Sequence, residues 1–515
     1  MRIGTNVAAI VANNALQKSQ NNLSTSIERL SSGYKINGSK DDAAGCAISE
    51  KMRAQIRGLS QAHNNTADGV SVLNTAEGAI TEIQSMLTRL KELSVQAAND
   101  VNSDDEREAI QKEIEQINNE IDRISDQTEF NTQSLINGNL SRRVYSDLQG
   151  VNQLSVSDSY TAGVYGITVT EDARQAIAVG AGSITMSSTA SITKEQEGTI
   201  SINGYKISIF EGDTLDKVMG KIIDGVNITG GSAFTVKDLN NDTAANGTDY
   251  AGYVPTADYA GSTLVIMTNQ YGSDQKMNIT CDNAELADIL GIPQAATQDG
   301  IYVEGSDVKA EIATGDDGKR IGFADSAILS TKGTVITVTD VNNKEFSMDV
   351  PGNAAGTVFD DSNNDGQSAA GAGTARTISQ EVTDVGTMSI HVGANQDQVI
   401  VIDIPAITTY SLGTEHMNVM TQYTASRAIS TVDEAINKTN KIRSRIGAYE
   451  NRFDHTTNNL EVSSENLTKS LSTMIDTDMS EEMTTYTSET VLTQAATSIL
   501  AQANERPSQV LQLLQ

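Results

Sequence analysis

The side chains best equipped for catalysis or metal binding are four histidines and two cysteines set among 67 acidic residues, and none falls into a working pattern. His63, His391, His416 and His455 form no HExxH pair, the spacing that places two zinc ligands and a general base on one helix face. His63 and His455 lie on helical stretches able to approach each other, where a hydrogen-bonded place suits them better than ligation. The run DDSNNDG, Asp360 to Gly366, offers oxygens of the kind calcium takes. It lacks the glutamate that closes a twelve-residue calcium loop, so it reads as a solvated loop. Cys46 and Cys281 sit in segments of different character, and two thiols cannot staple a chain of 515 residues. There is no GxSxG, no GxxxxGK[ST] and no CxxC. With so many Asp and Glu, any chosen carboxylate pair carries no information. The expectation is a protein that is not an enzyme and holds no cofactor or metal.

Charge and composition narrow the field further. A net charge of −31 argues against nucleic acid, because phosphate binding needs clustered Lys and Arg. Aromatic residues make up only 4% and tryptophan is absent, which argues against a deep ligand pocket. No apolar run is long enough to cross a bilayer, so membrane insertion is not expected. The opening MRIGTNVAAIVANNALQKSQ does not read as a secretory signal, because Asn6, Asn13 and Asn14 interrupt any apolar core.

What remains is a pattern of helices at both ends. Five prolines in the whole chain leave long helices uninterrupted. Apolar positions recur from Ile10 through Leu16, Leu23, Ile27 and Leu30, then stop at Ser31 to Gly45. A second helix carries Ile48, Met52, Ile56 and Leu59, and a third Ile80, Ile83, Leu87 and Leu90. After a break near Asn102, Ser103 or Asp104 caps a helix with acidic residues in its first turn. There Ile110, Ile114, Ile117, Ile121 and Ile124 are spaced four, three, four, three, the period of a coiled-coil seam. The C-terminal arm answers with Ile429, Val432, Ile436, Ile442, Ile446, Tyr449, Phe453, Leu460, Leu467, Leu471 and Met474. A cap-like cluster at Asp476 to Met479 opens a last helix with Met483, Val491, Leu492, Ile499 and Leu500, ending in Leu511, Leu513 and Leu514. An apolar chain end is costly to expose, so burial between subunits is expected there, with docking onto the same chain as the alternative.

The middle, 140–400, is rich in Gly, Thr, Ser, Asp and Val and reads as strands and turns. Tyr165, Ile167 and Val169 alternate as one strand of a half-buried hairpin, and Thr214 to Ile223 reads as a short helix. Strands are expected at AFTVKDL, STLVIMTNQ, KMNITC and within 322–350, with Asp360 to Arg376 as an exposed loop.

Several segments resemble bacterial flagellin. They are RLSSGYKINGSKDDAAGCAISEKMRAQIRGL (Arg29 to Leu59), NTADGVSVLNTAEGAITEI, LKELSVQAAND and INNEIDRISDQTEFN near the N-terminus. RIGAYENRFDHTTNNL (Arg445 to Leu460), DTDMSEEM and SILAQANERPSQVLQLLQ match near the other end. Within the middle, INGYKISIFEGDTLDKVMGKI through LADILGI resembles an insert of flagellins and hook-associated proteins. Tyr34 and Cys46 depart from the leucines usual at those places. The resemblance implies a discontinuous multi-domain α+β fold, with terminal helices paired as a coiled coil or bundle and a β-rich insert on the outside. It implies an inner-tube domain from 1–45 plus 476–515 and a helical rod with a β-hairpin from 46–175 plus 395–475. The surface insert then covers 176–394, with two possible parts, 176–292 and 293–394.

The function implied is that of a secreted subunit polymerising into the flagellar filament for swimming. Alternatives are a hook–filament junction protein, or a filament subunit whose insert is an adhesin or enzyme. Implied partners are copies of itself, the flagellar cap, hook-associated proteins, an export chaperone on the C-terminal arm and a host innate immune receptor. Arg89, Leu93 and Glu113 match the family's Toll-like receptor 5 contact motif, with Arg89 as the charged anchor beside Leu93. An Arg89–Glu113 pair across adjacent helices is the equally physical alternative.

Overall fold

The structure is a computed structural model describing residues 6–513 except 158–159, 237–258, 260, 293–299, 316–317, 341–343, 353–358, 361–368, 371–374 and 384. Among the described residues the helices are α1 (Val7–Ser32), α2 (Ala43–Ala97), α3 (Asp104–Gln127), α4 (Leu215–Ile228), α5 (Ala284–Ile289), α6 (Thr409–Leu412), α7 (Gln422–Ile475) and α8 (Met479–Leu513). The chain divides into two units, one of Met1–Val70, Ile390–Ile400 and Asn451–Gln515, the other of Ser71–Ser389 and Val401–Glu450. The terminal helices pack together and the central region forms separate sheets, so the fold is discontinuous α+β.

In the first unit α1 starts at Asn6, whose side chain accepts from the Ala9 amide at 3.2 Å. It stops at Gly33, which adopts φ +78° and donates its N–H to the Arg29 carbonyl at 2.8 Å. Just beyond, a single antiparallel bridge joins Tyr34 to Asp476. The two helical stretches expected between Ile48 and Leu90 are one continuous 55-residue helix. Two of its glycines are contact points rather than breaks. A Cβ on Gly69 would lie 3.0 Å from the Phe453 ring, and one on Gly58 would lie 3.1 Å from the Ala394 Cβ. The C-terminal arm is likewise one helix of 54 residues, about 80 Å long at roughly 1.5 Å per residue.

The second unit joins a helical part to the sheets. Buried residues on α2 (Leu73, Ile80, Ile83, Leu87, Leu90), α3 (Ile110, Ile114, Ile121) and α7 (Val432, Ala435, Ile442, Ile446, Tyr449) form its apolar helical faces. Salt links register them, including Arg443 with Glu77 at 2.6 Å and Lys91 with Asp433 at 2.5 Å. The Ser103 hydroxyl and Glu106 cap α3 reciprocally, and Asp104, Asp105 and Glu106 complement the positive end of the helix dipole.

Among the described residues the central region holds two large apolar cores and a smaller one of Ile177, Phe234, Val265 and Met267. Strands Ile301–Glu304, Lys276–Cys281, Gly198–Ile202 and Tyr205–Ile209 form an antiparallel sheet in that order. Helix α4 packs its Leu215, Val218, Met219 and Ile222 into the core with Ile200 and Ile207. It runs five residues past the Ile223 expected as its end. Buried Asp213 beside it bonds to Lys217 at 2.8 Å and Lys221 at 2.6 Å, and these ammonium groups hold its carboxyl well below the usual range.

The second core contains Ile167, Val169, Ile336, Val338 and Ile378 around Tyr160, Tyr165, Phe323 and Phe346, whose ring centroids lie 5.1 to 6.1 Å apart. Here strand Gly163–Glu171 pairs with no sequence neighbour. It lies between Lys309–Ile312 and Arg376–Val382. In the loop expected at Asp360 to Arg376, Asp360 belongs to a two-residue strand paired with Ala369–Ala370, while 361–368 and 371–374 lie outside the described residues.

Candidate assembly surfaces

The α1–α8 pair is antiparallel and its seam is small and polar. The residues α1 buries are Ala12, Ser19 and Ser26, one every seven positions. Opposite them α8 presents Glu482 and Glu489, also seven apart. The Ser26 hydroxyl donates to Glu482 Oε1 at 2.5 Å, and Ser19 donates to Glu489 Oε2 at 2.5 Å. Arg29 Nη1 stands 3.7 Å from Glu482 Oε2, and Asn22 Nδ2 donates to Glu489 Oε1 at 2.9 Å. Further along, Asn6 Nδ2 donates to the Ala503 carbonyl at 2.8 Å. Hydrogen bonds from Ser19, then Asn22, lower the Glu489 pKa.

Many of the long aliphatic side chains point elsewhere. Val7, Ile10, Val11 and Ile27 of α1 are exposed, Val7 by 65%, and so are Met483, Val491, Leu492 and Ile499 of α8, Val491 by 59%. Leu16, Leu23 and Leu30 are half-buried along the flank of the seam. Leu511 and Leu513 continue the backbone of α8, whereas Leu514 lies outside the described residues. Hydropathy reading missed this seam because Ser and Glu at that spacing look like a solvated face. The available signal was the matched seven-residue step in both helices.

On α3 the buried line is Arg107, Ile110, Ile114, Asn118, Ile121 and Ser125, while Ile117 and Ile124 are half-buried at its edge. The polar members are anchored: Asn118 Nδ2 donates to the Thr414 carbonyl at 2.8 Å and Arg107 Nη2 to the Asn99 carbonyl at 3.0 Å. Arg89 clasps Glu113 through Nη2 at 2.8 Å and Nε at 3.1 Å, and its Nη1 reaches Glu92 at 3.1 Å. Glu113, then Glu92, raise the Arg89 pKa. Both Arg89 and Glu113 keep nearly half their side-chain surface in solvent. Leu93 is only 1% exposed, so it supports the pair from the core and presents no surface of its own.

The catalytically equipped residues stay scattered. His63 lies 3.4 Å from Glu461, and Cys46 and Cys281 are both free. Burial pushes the Cys281 thiol pKa up. Among the described residues no three or more His, Cys, Asp or Glu come together to hold a metal ion, and no helix is long and apolar enough to cross a membrane.

Terminal helices that close on each other through a polar seam, with aliphatic residues turned outward, define a self-associating structural subunit. Comparison with known proteins gives the family. Residues 3–141 match the bacterial flagellin N-terminal helical region and 429–514 the bacterial flagellin C-terminal helical region. Flagellin of Salmonella typhimurium is 32% identical over 538 residues, covering 99% of each chain. Polar flagellin A of Vibrio parahaemolyticus is 30% identical over 515 residues, covering 100% of this chain and 99% of its own. Flagellin of Clostridium tyrobutyricum is 29% identical, covering 96% of this chain and 98% of its own. The chain belongs to the bacterial flagellin family. It is a secreted structural subunit of the flagellar filament and not an enzyme.

Proposed function

We propose that the outward aliphatic faces of α1 and α8 are the surfaces this subunit uses to join its neighbours in the swimming filament. The observation that carries this reading is the inversion of the pair: small and polar residues inside, Val7, Val11, Val491 and Ile499 outside. Burying each such side chain is worth about 1.5–3 kcal/mol, so copies stacked along these faces gain what the isolated chain forgoes. Within that reading, 1–45 plus 476–515 form the inner tube, 46–175 plus 395–475 the rod, and 176–394 the outward insert. Leu511, Leu513 and Leu514 extend that assembly seam, while the line through Ile110, Ile114, Ile117, Ile121 and Ile124 is the seam that holds the rod's own helices together. The exposed apolar side of α8 suits an export chaperone before assembly, and the filament's ends meet the cap and the hook-associated proteins. The test is the double substitution Val11→Ser with Ile499→Ser. Electron microscopy should find no filaments while the monomer's melting curve stays unchanged, and normal filaments would overturn the proposal.

A host receptor reading has its own support. The Arg89–Glu113 clasp is half-exposed and anchored on two helices, the preorganised charged patch a Toll-like receptor 5 contact requires. Leu93 holds that patch from behind. Arg89→Ala should weaken monomer binding to the receptor ectodomain at least tenfold in a titration; unchanged affinity would remove the reading.

A further inference from the structure

We infer that Glu482 and Glu489 are register-setting residues, selecting which turn of α8 lies on which turn of α1. A seam of small residues flanked by aliphatics is degenerate, because sliding one helix by seven residues returns the same kind of packing. The two carboxylates lift that degeneracy. In the observed register Ser26 meets Glu482 and Ser19 meets Glu489, and the same step carried on places Ala12 opposite Ala496.

If Glu489 instead faced Ser26, Glu482 would fall beyond the end of α1 at Gly33, and Ser19 would face Ala496. In the opposite slip Glu489 would face Ala12, which has no donor, and Ser26 would face Ile475. Each slip strips at least one carboxylate of its hydroxyl donor and sets one seam serine against an apolar side chain, so hydrogen bonds made in the observed register are lost. Second partners sharpen the choice, since Glu482 has the Arg29 ion pair and Glu489 a hydrogen bond from Asn22. The bridge at Tyr34 and Asp476 agrees with this register but is made by backbone groups, and it carries no sequence information. A polar residue in a coiled-coil seam selects register at a cost in stability, and here two acidic residues do so within one chain.

The test reads register by cross-linking in filaments of the full chain on a Cys46→Ser background. Ala12→Cys with Ala496→Cys reports the observed register, and Ala12→Cys with Ala503→Cys reports a slip of seven. Internal links are distinguished from links between subunits by the mobility of the denatured chain. The first pair should cross-link at least tenfold faster than the second. Adding Glu482→Leu and Glu489→Leu should bring the two rates within about threefold of each other, and Glu→Gln at both positions should restore most of the difference because the acceptor is kept. Should the leucine variant not assemble, Ser19→Ala with Ser26→Ala removes the donors instead and should lose selectivity in the same way. Tenfold selectivity retained after either change would overturn the inference.

Discussion

Two helical regions of this molecule solve the same packing problem in opposite ways. Where α2, α3 and α7 carry the second unit, Leu87, Leu90, Ile114 and Ile446 are sealed inside and charge stays at the rim. Where α1 pairs with α8, Ser19 and Ser26 meet glutamates inside and the aliphatics stay at the rim. The first arrangement stabilises a folded chain by itself. The second defers its hydrophobic gain until other copies arrive, and its polar seam supplies selectivity in the meantime. The lesson is that helix pattern alone does not say whether an apolar stripe faces the chain's own core or a neighbour's.

The largest expected effect contrasts one truncation in each region. Leu87→Ala should destabilise the monomer by about 2–5 kcal/mol in urea unfolding, whereas Val491→Ala should change it by less than about 0.5 kcal/mol. Equal losses would erase the distinction between the regions. Next, amide exchange in the purified monomer should be fast along 7–32 and 479–506 and slow along 71–97, with the terminal helices becoming protected after polymerisation. Uniform protection in the monomer would mean the pair needs no neighbours.

The smallest effect concerns acid. Glu489 has its pKa lowered by Ser19 and Asn22, so its contribution is present above the unfolded value of about 4.3 and is lost as pH falls through the lower folded value. In the filament the protection of the 7–32 amides, relative to their intrinsic exchange, should therefore fall below about pH 4, less steeply in Glu489→Gln. An identical profile in that variant would assign the acid response to another group.

Much of the terminal architecture was legible in the sequence. The Ser103–Glu106 capping box, the seam through Ile110, Ile114 and Ile121, and the helix opening at Met479 are local patterns that local chemistry determines. Other features depended on partners distant in the chain. Gly69 looks like a weak point until Phe453 is found against it, and Leu93 looks like a surface contact until its neighbours bury it. Strand Gly163–Glu171 shows the alternation of a hairpin, yet its partners come from Lys309–Ile312 and Arg376–Val382. Alternation specifies which face is buried and says nothing about which strand lies alongside.

By itself the sequence determined that both ends are helical, that the centre is built of strands, and which family the chain resembles, because periodicity and motif are written along the chain. Only the tertiary structure decided that α1 and α8 meet through serine and glutamate and leave their aliphatics outward. That choice is made by pairing residues nearly the whole chain apart, where hydrogen-bond geometry between two helices outweighs the hydropathy of either one.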